Sequence, residues 1–161
     1  MNIFVLDADI ERCAADHCDQ HVSKMILESV QILSTVRYLN GESAPYKPTH
    51  VHHPCVRWAG ESLSNYLWLA ELATALNREF CRRYARPRDH ASMAPLRQIE
   101  RCSLPERGLT PFAQAMPEQY RVAGDAVAAY RRFYLADKAR FAIWNHSPAP
   151  AWWHAAELTC D

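Results

Sequence analysis

Glycine is scarce in this chain, with four residues in 161, too few for the many tight turns of a barrel or sandwich of short strands. A charge excess is missing as well: eighteen Lys and Arg balance eighteen Asp and Glu, whereas duplex-binding proteins usually carry a basic balance. No apolar run has the length of a membrane span, and Met1 to Asp7 is too short for an export signal, so a cytoplasmic location is expected. The six cysteines include no tight Cys-x-x-Cys pair, which points to reduced thiols and not to a disulfide or zinc framework. No repeat, low-complexity tract or linker interrupts the sequence. With 49% apolar content, residues 1–161 are expected to form one domain around one core.

The charges are unevenly spread. Residues 1–45 hold seven acids and three bases, and the remainder holds eleven acids and fifteen bases. Arg78, Arg82, Arg83, Arg86, Arg88, Arg97 and Arg101 crowd one stretch of the basic part. That pattern suits either a local basic face or a solvated helix surface.

Periodicity predicts an all-α protein. Ile3 to Leu6 reads as a buried strand or extended arm, and Ile10 to His17 as one or two helical turns. A long helix is expected from Asp19, as N-cap, to about Leu39, where Asn40-Gly41 stops it. A second is expected over 56–85, a shorter one over 90–102, and a last long one from Asp125 to about Trp144. Gly108 to Pro117 reads as a bracing loop, and Trp152 and Trp153 are expected to pack back on the body.

The first long helix carries the most chemistry. His21, Lys24, Glu28, Gln31 and Thr35 recur at steps of three and four and share one stripe. Val22, Met25, Ile26, Val30 and Leu33 fall away from it and can pack. An imidazole, an amine and a carboxylate presented on one rigid element are what general acid/base chemistry needs. The same stripe is equally at home as the solvent-facing side of an amphipathic helix. Asp19, two residues before His21, can fix its tautomer or cap the helix. Glu28 lies two turns below His21, about 10 Å along the axis, which suits two groups flanking one substrate.

Two further sets stand beside it. His50, His52, His53 and Cys55 crowd one loop and can ligate zinc with His17 or His21, orient a phosphate or cap a helix. Trp58, Tyr66, Trp68, Tyr120, Tyr130, Phe133 and Tyr134 can stack bases, although at helical spacing aromatic residues are usually core.

Asp19-Gln20-His21, with Glu28 seven residues after the histidine, resembles the first helix of the phage pyrimidine-dimer DNA glycosylase/AP lyase family of the endonuclease V type. Weaker similarity continues through Lys47-Pro48-Thr49 and the second long helix. The aromatic segment from Tyr130 to Lys138 is also in keeping. The whole chain also resembles a group of small phage and bacterial proteins that share its opening and its Gly-Leu-Thr-Pro-Phe-Ala-Gln-Ala-Met-Pro segment.

The resemblance implies a mostly helical fold and attack on an N-glycosidic bond by the free N-terminal α-amine, through an imine, followed by β-elimination. Such an amine titrates near ~8 and is partly unprotonated at neutral pH. Glu28 would stabilise the developing oxocarbenium charge and shuttle protons, and His21 would orient sugar or phosphate. The chain departs from the family at three places. Asn2 is bulky enough to keep Met1 in place, about five extra residues precede the motif, and Leu27 and Gln31 stand where the family has arginines.

The expected activity is that of a DNA glycosylase or AP lyase needing no cofactor or metal. Glu28, His21, Lys24 and Met1 are the catalytic candidates. Asp19, Gln31, His50, His53, Arg82, Arg83 and Arg86 are the substrate contacts. Three alternatives remain at this level: the same site acting on a free nucleotide, a metal-dependent hydrolase using His50, His53, Asp19 and His21, and a non-catalytic accessory protein with an aromatic binding surface.

Overall fold

The computed structural model describes residues 1–99 and 101–157. Among them there is no β-strand, as a chain so poor in glycine requires. The helices are α1 (Ile10–Asp16), α2 (Asp19–Leu39), α3 (Pro54–Glu61), α4 (Leu63–Arg83), α5 (Met93–Leu96), α6 (Ala126–Phe133) and α7 (Ala151–Glu157). No helix among the described residues is long and apolar enough to cross a membrane. The buried apolar side chains form one contiguous cluster, built mainly where α4 packs along α2 and α1.

α2 forms as its periodicity requires. Val22, Met25, Ile26, Val30 and Leu33 are all buried, and Gly41 ends the helix in the left-handed region at φ +73°. Asp19 is not the N-cap, however. Cys18 occupies that position without a side-chain bond, because the Asp19 carboxylate is drawn to Arg83 at 3.1 Å and to the backbone N–H of Asn145 at 2.8 Å.

The expected helix over 56–85 is two helices. Ser62 is extended, and its hydroxyl accepts from the Asn65 N–H at 3.1 Å, so it caps α4 and breaks the run. Pro54 sits in the first turn of α3, where its missing N–H costs nothing. The helix expected over 90–102 shrinks to one turn, after which Ile99 and Cys102 drop into the core.

The last long helix is shorter too. α6 gives way to a π-helical turn, Tyr134–Lys138, which inserts the Tyr134 ring into the core. Trp152 packs back as expected, donating to the Asp16 carboxylate at 2.6 Å. Among the described residues Cys13, Cys18, Cys55, Cys81 and Cys102 are free thiols; Cys160 lies outside the described residues.

Candidate active site

Ile3 to Leu6 form an extended buried arm, not a strand. Four apolar side chains in succession leave it no solvated face, so it threads between α2 and the π-helical turn. Phe4 stacks on His21 and meets Tyr134 edge-on at 5.2 Å. That packing brings the amino terminus across the stripe of α2.

Glu28 receives it. One carboxylate oxygen, Oε2, accepts the Asn2 backbone N–H at 2.8 Å and lies 3.7 Å from the Met1 α-amine. The other, Oε1, lies 3.6 Å from Lys24 Nζ. The carboxylate is only 11% exposed, whereas the Lys24 side chain is 62% exposed. A nearly buried acid thus faces two amines, one held by the fold and one reaching from solvent.

The histidine loop is pinned to the same helix face. Thr35 Oγ1 accepts the Thr49 N–H at 3.1 Å, and His53 caps α3 by accepting from the Cys55 N–H at 3.2 Å. Burial holds the His53 imidazole below its ordinary range, and the N-terminal amine and His50 push the same way against Glu28. His53 therefore feels the charges of the amine and the carboxylate. His50 is exposed and bonds Thr49 Oγ1 at 2.7 Å.

Several expected contacts belong to the scaffold instead. His21 is 4% exposed; its Nδ1 bonds the Tyr134 hydroxyl, and desolvation carries its pKa down to about 3. It is a neutral core ring that docks the arm, with no face turned to a sugar. Asp19 serves Arg83, not His21. The Arg83 side chain is fully buried and also binds Glu79 and the carbonyls of Ala15 and His17, so it cannot hold a phosphate. Arg82 and Arg86 are exposed, and Arg82 is paired to Glu79 at 2.6 Å.

Their neighbour Arg83 is bound to Asp19, which lies about 13 Å along the α2 axis from Glu28. Gln31 is half-buried one turn below Glu28. The metal-dependent reading fails on geometry: Asp19, His21, His50 and His53 each have separate partners. No group of three or more His, Cys, Asp or Glu among the described residues could hold a metal ion.

The aromatic segment is core as well, with Tyr130 and Tyr134 fully buried and Phe133 8% exposed. Those three rings offer no docking surface. A concavity of about 700 Å³ lies between Pro54 and the 113–123 segment. Its wall runs from Pro54, next to His53, through Gln114 to Arg121 and Val122.

Sequence reasoning missed the receptacle of Asn2. The Asn2 amide donates to the Ala115 carbonyl at 3.0 Å, and its oxygen lies near Ile3, Cys55 and Tyr130. These residues are scattered over more than a hundred positions and share no local pattern.

A family model described as pyrimidine dimer DNA glycosylase matches residues 1–92. That region includes the arm, α2, the histidine loop and α4, but not Ala115, Tyr130 or the concavity's far wall. No curated protein and no solved structure matches the chain.

Proposed function

We propose, from the premise that the chain belongs to the pyrimidine dimer DNA glycosylase family, that its Met1 α-amine and Glu28 carry the reaction. The protein is an enzyme acting on the N-glycosidic bond of a damaged nucleotide in DNA. The supporting observation is the Glu28 carboxylate, nearly buried, with one oxygen 3.7 Å from the Met1 amine.

In this reading the unprotonated amine attacks C1′ of the damaged nucleotide. The C1′–N bond to the base breaks, and the base departs with the bonding pair and takes up a proton. Glu28 stabilises the cationic character at C1′ and accepts the proton the amine loses. Ring opening then gives an imine between C1′ and the amine. Loss of a C2′ proton expels the 3′ phosphate, and water hydrolyses the imine to release the enzyme.

His53 and Gln31 border the sugar, and Lys24 meets the adjoining phosphate. Lys138, over the Phe133 ring at 4.4 Å, is paired to Asp137 at 2.7 Å and does not extend that contact. Arg82, paired to Glu79, and Arg86 contact the strand only at its periphery. A cytoplasmic location, with the DNA it repairs, belongs to the same proposal.

Borohydride reduction on duplexes bearing a pyrimidine dimer or an abasic site is the test. The expected result is a covalent adduct that Glu28→Gln abolishes. No adduct with either duplex removes the proposal, as does cleavage confined to mononucleotides.

A further inference from the structure

With Met1 retained, as the size of Asn2 implies, the amine poses a geometric problem. A chain that keeps its first residue must aim an amine one residue further out, about 3.8 Å of backbone, at the end of an otherwise free arm. Here the second residue is held as tightly as a core residue. Asn2 Oδ1 accepts from the Ile3 N–H at 2.8 Å, from the Tyr130 hydroxyl at 3.2 Å and from the Cys55 thiol at 3.4 Å. Its Nδ2 donates to the Ala115 carbonyl at 3.0 Å, and its backbone N–H is the one bound to Glu28. The Met1 side chain, 3% exposed, packs against the core.

We propose that Asn2 is a positioning residue which, with the buried Met1 side chain, aims the Met1 amine at Glu28. The inference rests on the amine-and-Glu28 reading above and adds to it the element that fixes the nucleophile's place. With both polar ends of Asn2 held and the Met1 side chain buried, rotation at the amino terminus is restricted on both sides of the amine. The entropy of ordering a chain end is met by folding before substrate arrives.

The Tyr130 hydroxyl couples Asn2 to the Gly108–Pro117 loop: its one proton is shared between Asn2 Oδ1 and the Ala113 carbonyl at 2.7 Å, and its oxygen accepts from the Ala115 N–H at 3.2 Å. Burial pushes the Cys55 thiol up to about 11, so it remains a donor to Asn2 at neutral pH. The loop and Tyr130 lie outside the matched region, and this gives them a task that the matched region alone cannot perform.

The test is single-turnover borohydride trapping on an abasic duplex, where the amine adds to the C1′ aldehyde, water leaves and the imine is reduced. Full-length protein is used, intact mass verifies Met1, and peptide mass locates the adduct. Wild type is expected to form the adduct on Met1. Asn2→Leu, similar in size but without polar atoms, should trap roughly tenfold or more slowly, with its Kd for the duplex unchanged within about twofold. Asn2→Asp, which keeps the acceptor, should recover much of the rate, and Tyr130→Phe should fall between.

A wild-type trapping rate in Asn2→Leu overturns the positioning role while leaving the amine-and-Glu28 reading intact. So does a loss that appears in Kd alone. If Asn2→Leu fails to fold, a wild-type rate in Tyr130→Phe overturns it. A wild-type adduct on Lys24, or an intact mass lacking Met1, also overturns it. Absence of any wild-type adduct sinks the underlying reading and this one together.

Discussion

Phe4 and His21 lie parallel, their planes 12° apart and their centroids separated by 4.6 Å. Together with the Asn2 N–H bond to Glu28, that contact fastens the amino-terminal arm to the helix that carries Glu28. It converts a histidine with the look of a catalytic group into the anchor of the amine. The site is thus assembled from two pieces, and the stacked pair sets the distance between them.

Replacing His21 by alanine is therefore expected to act through stability. It removes a buried ring and strands the Tyr134 hydroxyl, at a cost of about 2–4 kcal/mol. Urea unfolding should show a lower midpoint with an unchanged slope. Wild-type stability combined with lost cleavage would mean that the imidazole acts on substrate after all.

Acid should weaken the fold in the same region. Burial takes His17 down to about 4 and His21 to about 3, and His17 Nε2 has no hydrogen-bond partner among the described residues. Arg83 adds to the shift at His17, and His17, Lys24 and Lys138 add at His21. Both rings are held neutral in the folded state and gain protons more readily when unfolded. Their contribution is fully present above about pH 6.5 and is lost as pH falls through 4 and then 3. Unfolding midpoints measured between pH 7.5 and 4 should decline steadily below 6.5, and His17→Phe should decline less.

Arg83 and Arg82 are adjacent in sequence but should behave as opposites. Arg83→Ala leaves the Asp19 carboxylate without its cation, held only by the Asn145 N–H, and removes the donor to two carbonyls in the interior, and should cost about 3–5 kcal/mol. Arg82→Ala breaks an exposed pair worth about 0–1 kcal/mol. Chemical denaturation of both variants checks the contrast, and equal effects would contradict the burial difference.

Lys24→Ala should leave the trapped adduct on Met1 and lower affinity for DNA. If Lys24 holds one phosphate, the slope of log affinity against log salt should fall by about one. Binding titrations at several salt concentrations measure it. Disappearance of the adduct would instead make the lysine the nucleophile.

Helical class and the stripe on α2 were legible because both follow from short-range spacing. Helical periodicity put His21, Lys24 and Glu28 on one side and the apolar set on the other. The chain breaks were less legible. Ser62 divides a continuous apolar stripe because its hydroxyl caps a helix better than its backbone continues one, and the π-helical turn follows from seating Tyr134.

Residue type and spacing along α2 decided that a carboxylate would stand one turn from an amine, since a helix holds its neighbours at fixed intervals. They could not decide that His21 would be entombed, that Arg83 would face inward or that Asn2 would be clamped. Those outcomes depend on partners up to 128 positions away, as between Asn2 and Tyr130. Such contacts are set by the packing of the arm, the loop and the last helices, and no local rule encodes them.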